Sequence, residues 1–265
     1  MHAQLLNRHN IRKTRMFNRT PSYLILTFVV YPVVGVVLGY FGGRAIGGGS
    51  GTAAVRFVLT AQCVLVACLA PFFNSADCKC GPIRIAAGAL LKTCGAIAAT
   101  SVIAAALSVI FGGALPVGWA VRSAAMMVGF ATVLIGVGAL ARRLGAGAGA
   151  GQAAAYAAAA LMLGTVFYAN SAIALTRGKT KVAVVQAAVV ANPMVCVAGA
   201  ALDYDIMLSR RSPMSFYNQS LIGPDHLYRY PRWWSAVAGY CVVGIVFLAV
   251  SFIGSAKAHK VSGGT

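Results

Sequence analysis

Six stretches of this chain carry almost no charge and are each long enough to cross a bilayer: residues 23–43, 54–73, 85–111, 117–140, 153–175 and 234–254. A helix rises about 1.5 Å per residue and the hydrocarbon layer is about 30 Å thick, so about 20 apolar residues make one span. Inside lipid every backbone N–H and C=O must be paired within the protein, which makes helices of such runs. The constraint predicts an all-α fold: a polytopic membrane helical bundle of six transmembrane helices. Composition agrees, with 59% hydrophobic residues, 10% charged residues and a mean hydropathy of +0.79. A soluble domain carries about a quarter of its residues as charges, so a soluble globular enzyme is excluded, as are disorder and collagen.

Charge places the chain against lipid and not nucleic acid. The formal net charge is +18, from 22 Lys and Arg against 4 Asp and no Glu. On a soluble protein that balance would suggest nucleic acid. Here the basic residues flank the apolar runs, as they do beside an anionic membrane surface. Residues 1–22 form a polar segment with Arg8, Arg12, Lys13, Arg15 and Arg19, read as a cytoplasmic basic segment with an amphipathic stretch over Ile11–Phe17. The run after it is longer than the apolar core of a secretory signal, so it reads as a retained span. Residues 23–265 then form a single transmembrane bundle.

One further apolar stretch, residues 182–202, is long enough to span but is interrupted by Asn192-Pro193. Proline removes a backbone donor and pushes the residue before it out of the helical region. The stretch therefore reads as two half-helices that dip in and return, with residues 203–233 as a polar loop. With the amino terminus cytoplasmic, six spans place 11 Lys and Arg inside and 10 outside; seven spans would give 13 and 8. Leaving out the long loop, six spans give 11 and 3. Six spans are expected, with seven as the alternative. Arg142 and Arg143 are expected to face the cytoplasm.

Groups able to do chemistry are few. No carboxylate and no His lies in an apolar run, which disfavours proton-coupled transport by this chain alone. Lys92 lies within a run and is expected to snorkel toward the polar side. The seven cysteines are an odd number, mostly within apolar runs, and suggest no disulfide framework. Cys78-Lys79-Cys80 lacks the second element that a zinc site needs. The Gly-rich stretches at 47–51 and 145–151 lack the Lys-Ser/Thr of a phosphate loop and read as loops, the second also as a frayed helix end. No metal, catalytic or cofactor-binding residue is assigned. Asp203 and Asp205 flank Tyr204; they are expected to cap a short interfacial helix and pair with Arg210 or Arg211. Phe216, Tyr217, Tyr228, Tyr230, Trp233 and Trp234 read as an aromatic belt at the membrane surface. Gly35, Gly39 and Gly43 repeat at the four-residue spacing that permits close helix contact.

Two stretches carry a resemblance. GALARRLGAGAGAGQAAAYAAAALMLG (138–164) resembles a fourth span ending in small residues and an Arg pair, followed by an Ala-rich fifth span. Asn192-Pro193-Met194 follows that fifth span, and YRYPRWW (228–234) opens the last. The pattern, over nearly the whole chain, resembles the membrane (permease) subunit of an ATP-binding-cassette transporter of the type-2 exporter class. The resemblance implies a permease in the cytoplasmic (inner) membrane, dimeric or paired with a second permease, driven by a separate subunit that binds ATP. It implies a re-entrant substrate path at Asn192, Pro193, Asp203 and Asp205. It also implies a coupling interface drawn from Arg12, Arg15, Lys79, Arg84, Arg142 and Arg143. The loop NSADCKCGPIR (74–84) lacks the acidic element such permeases carry between their second and third spans. That absence, with the lack of polar groups in the spans, motivates the alternative of a structural or accessory membrane subunit of a larger complex; a third reading, a membrane enzyme acting on lipids, has only Asp203, Asp205, Asp225 and His226 to draw on.

Overall fold

The computed structural model describes residues 31–46, 51–74, 82–111, 116–207, 220, 222 and 228–261. Residues 1–30, Cys78-Lys79-Cys80, Arg210, Arg211, Phe216, Tyr217, Asp225 and His226 lie outside them, and with them Arg12 and Arg15 of the expected coupling interface. The described residues form eight α-helices and no strand: α1 (Tyr31–Ile46), α2 (Gly51–Phe73), α3 (Pro82–Ile110), α4 (Val117–Ala141), α5 (Gly147–Leu175), α6 (Gly178–Ala191), α7 (Pro193–Cys196) and α8 (Trp233–Val261). π-helical stretches follow α4 (Arg142–Ala146) and α7 (Val197–Ala201).

Five stretches are long and apolar enough to cross a membrane: Gly51–Phe73, Ile83–Ile110, Val117–Leu144, Gly149–Leu175 and Trp233–Ile253. The protein is an all-α membrane bundle. The helices begin earlier than the hydropathy of the runs suggests. Gly147 to Gly151, whose alternating Gly and Ala read as a loop or a frayed end, are helical and open α5. Arg44, just past the first apolar run, stands in the last turn of α1.

Side-chain contacts fix the direction of every long helix. Gly43 of α1 meets Ala54 and Phe57 of α2, so these two are antiparallel; Gly39 meets Phe57, whereas nothing lies near the Cβ position of Gly35. Gln62 of α2 donates to Thr100 (2.9 Å) and Ser101 (3.1 Å) of α3, also antiparallel. Interhelical bonds of this kind contribute about 0.6–2 kcal/mol in a membrane. Ser123 of α4 lies beside Leu59 of α2, and Asn74 beside Ile135, so α2 and α4 run parallel. α5 returns antiparallel to both, with Gly138 against Gly151 and the Tyr156 hydroxyl on the Cys68 carbonyl (3.2 Å).

The tightest pairing joins α4 to α8. Lipid tails are as apolar as leucine, so helices associate in a bilayer through close packing at small residues. Gly129 meets Val237, Tyr240 and Cys241; Gly136 meets Gly244 and Phe247; Gly244 meets Thr132. Both series rise together, so α8 runs parallel to α4. The bundle therefore has a mouth end, where α2, α4 and α8 begin and α5 stops, and a base end, where α3 and α5 begin. The segment between α5 and α8 leaves and rejoins the bundle at the mouth. Its two helices are bent by 84°, so it starts and ends at one end of the bundle, as the expected half-helices that dip in and return would.

A Cβ at Gly244 would lie 2.6 Å from the Thr132 backbone, whereas Gly239 of the same helix has open space. Gly244→Leu should force α8 off α4 and cost about 1–3 kcal/mol. Thermal melting of the detergent-solubilised chain should show a lowered midpoint for this variant and an unchanged one for Gly239→Ala.

Candidate functional site

The segment between α5 and α8 is a helical hairpin broken at its tip. Gly178 turns the chain at a positive φ of 56°, a conformation that costs glycine little. α6 then runs back along α5, where Thr165 donates to the Ala188 carbonyl at 3.2 Å. α6 and the helix after the break are bent by 84°.

The break follows from local chemistry. Asn192 precedes proline and takes an extended backbone (φ −88°, ψ 110°). Its side-chain oxygen accepts from the N–H groups of Met194 and Val195 at 3.0 Å each, capping α7, and Pro193 occupies the first position of that helix. Its amide nitrogen donates to the Leu163 carbonyl of α5 at 2.6 Å. Asn192 is fully buried. In a continuous helix the carbonyls of Val189 and Val190 would accept from residues 193 and 194. Pro193 has no N–H, and the N–H of Met194 is taken by Asn192. The Cys196 thiol lies 3.3 Å from both carbonyls, and the Tyr240 hydroxyl of α8 donates to Val190 at 2.9 Å. The break is thus sealed by three side chains from two elements.

A strap holds the outer part of the hairpin. Gln186 of α6 pairs with the backbone of Arg229 on both sides, donating to its carbonyl at 2.6 Å and accepting from its N–H at 3.1 Å. The Tyr228 hydroxyl meets both oxygens of Asp205 at 2.9 and 2.8 Å, and Asp205 also accepts from Met207 N–H at 2.9 Å. The Tyr230 ring packs against Gly199, where any Cβ would collide with it. Tyr228 and Tyr230 meet edge to face at 5.5 Å. Both therefore turn inward onto the hairpin and do not join a surface belt, because Asp205 binds the Tyr228 hydroxyl and the gap over Gly199 takes the Tyr230 ring. Burial foremost, then Asp205, pushes the Tyr228 phenol up; burial and its neighbour Tyr228 do the same for Tyr230.

Asp203 and Asp205 diverge. Asp203 has a positive φ of 50° and pairs with Arg122 of α4 at 4.0 Å, both side chains partly exposed. The hairpin's return brings residue 203 to the first turns of α4; the expected partners Arg210 and Arg211 lie outside the described residues. No interfacial helix follows Asp205 among the described residues; its cap is the local turn to Met207.

At the base end Arg142 donates to the backbone carbonyl and to Oδ1 of Asn74, the latter at 2.6 Å, while Asn74 Nδ2 donates to Ile135 at 3.0 Å. Gly151 leaves the room that the Arg142 side chain fills. The last residue of α2's helical course is thereby tied to α4 and to the π-helical stretch. Arg84 and Arg143 are exposed at this end. Lys92 reaches back over the Phe73 ring at 5.8 Å. Lys79 lies outside the described residues. The structure thus brings Asn192 and Pro193 to a buried tip, sets Asp203 and Asp205 at the mouth, and keeps Arg142 far from both. Sequence reasoning missed Gln186, Cys196, Gly199 and Tyr240, whose roles arise from pairing across helices.

No known protein family, no curated protein and no solved structure matches this chain.

Asn192→Ala should leave the buried N–H groups of Met194 and Val195 without their acceptor and cost about 2 kcal/mol or more, read as a lowered melting midpoint; Asn192→Ser, which keeps a capping oxygen and loses the bond to Leu163, should fall between. The raised Tyr228 phenol gives a second expectation. Its contribution to stability is fully present below pH 10, the ordinary tyrosine value. It is lost as the pH climbs from there through the raised folded value. Tyrosinate absorbance should therefore show a late-titrating component that Tyr228→Phe reduces, the remainder belonging to other buried tyrosines such as Tyr230.

Proposed function

We propose that the chain is the permease subunit of an ATP-driven transporter of the type-2 exporter class. It works as a dimer or beside a second permease, in the cytoplasmic membrane with its amino terminus in the cytoplasm. A separate subunit binds and hydrolyses ATP. The observation that carries this reading is the hairpin broken at Asn192-Pro193, which enters and leaves at one end between α5 and the last long helix, α8. That is the place where permeases of this class carry a re-entrant pair.

In this reading the hairpin closes the outer side of the path. Its polar atoms are engaged within the protein, so the tip can sit at membrane depth without water. The base end would receive the push of the ATPase. Arg142 ties the end of α2, and hence the start of the loop after it, to α4 and α5, so a displacement there reaches helices on both sides of the turn. The π-helical stretch beside it supplies a place for such a motion, since π-bulges loosen a helix locally. The chain itself contributes path and gate, not reaction chemistry.

Co-expression with an ATP-binding subunit encoded beside it should yield a stable complex whose ATP hydrolysis depends on both chains. Arg142→Ala should lower that hydrolysis several-fold while the two chains still co-purify. Failure to form any complex, with recovery in an assembly that holds no ATPase, would instead favour the accessory-subunit reading.

A further inference from the structure

We propose that Arg56 and Arg122 form a binding site at the mouth end for a phosphate-bearing anion. Arg56 stands in the second turn of α2 and Arg122 in the second turn of α4, and these helices run parallel. Trp119 shares the face of α4 that carries Arg122. The Arg56 guanidinium lies 4.7 Å from the centre of the Trp119 ring and 5.4 Å from that of Tyr204. Ring stacking holds a guanidinium by its faces and leaves its N–H donors pointing out along its edges. Among the described residues, the buried Nε of Arg56 meets no acceptor. A buried charged donor without an acceptor costs stability, and an incoming anion would remove that cost.

The surroundings suit an anion. Tyr204 is set in place by its N–H bond to Ala198 at 2.9 Å, so the ring is positioned before any ligand arrives. Among the described residues Arg122 has one carboxylate partner, Asp203, at 4.0 Å and partly exposed, a pair weak enough to open or to be shared. Among these residues two guanidinium groups stand against that one carboxylate, which leaves positive charge at this spot. The amino-terminal ends of α2 and α4 add to it. Planar guanidinium forks match the oxygens of a phosphate two at a time, which a lysine pair could not do. The phosphate could belong to a lipid headgroup at the membrane surface or to a soluble compound; the chemistry read by the two arginines is the same. The site stands apart from the transport reading, since it needs no ATPase partner.

The test is calorimetric titration of the purified full-length chain in detergent with dioctanoyl phosphatidic acid, dioctanoylglycerol and inorganic phosphate. Phosphatidic acid should bind saturably and dioctanoylglycerol should not. Arg56→Gln should weaken binding about tenfold, Arg122→Gln several-fold, and Arg177→Gln, an exposed charge at the same end, not at all. Arg56→Lys, which keeps the charge but loses the fork, should also weaken it and serves if Arg56→Gln does not fold. Displacement of the lipid by inorganic phosphate assigns the site to phosphate itself; binding of the lipid without such displacement assigns it to a headgroup. Equal affinity in wild type, Arg56→Gln and Arg122→Gln, an equal loss in Arg177→Gln, or equal binding of dioctanoylglycerol would overturn the proposal.

Discussion

A broken backbone inside an apolar bundle has to pair the polar groups that the break exposes, and this requirement organises the rest of the molecule. Unpaired amides at membrane depth cost several kcal/mol each. Asn192-Pro193 creates such a break between α6 and α7. Asn192 covers two donors on one side and reaches α5 on the other; Cys196 and Tyr240 cover the carbonyls left behind. The solution draws on α5, α8 and the hairpin itself, so the tip is held by helices far apart in the sequence. Its burial is a consequence of the bundle and a condition for the hairpin's shape.

The second constraint is the glycine-lined contact of α4 with α8. It brings the two backbones close together, and in this parallel register Gly129, Gly136 and Gly244 each lie directly against the partner helix. That choice of direction decides the topology. With α8 parallel to α4, the segment after α5 must come back to the end from which it started. Tyr240 then arrives at the broken tip from the same helix, so the contact that sets the direction of α8 also seals the hairpin.

Much of this was legible in the sequence. The long helices announce themselves by uncharged length, and Asn-Pro in a run of spanning length marks a break by proline chemistry alone. The break at Asn192-Pro193 pointed to the direction of α8, but positive charge spread over both ends left seven spans as an alternative, and the glycines that set its pairing with α4 look like any others. Arg56 and Arg122 sit in the first turns of their runs, where they pass for ordinary flanking charges; only the stacking of Trp119 and Tyr204 singles out Arg56. Tyr228 and Tyr230 look like belt aromatics until the carboxylate of Asp205 and the gap over Gly199 appear beside them. The clamp of Asn74 by Arg142 spans a sequence separation that no local pattern can reveal. Local chemistry thus predicts where the chain bends, and pairing between distant helices decides where it goes next.

The central claim is that the chain between α5 and α8 enters and leaves the bundle at one end. The most direct measurement places single cysteines at Lys179, Arg232 and Arg143, all exposed, in a chain whose seven native cysteines have been replaced. An impermeant thiol reagent is then applied to sealed vesicles of known orientation. The account predicts that positions 179 and 232 react from the same side and position 143 from the other. Reaction of 179 and 232 from opposite sides would mean that the hairpin crosses the membrane, and would contradict it.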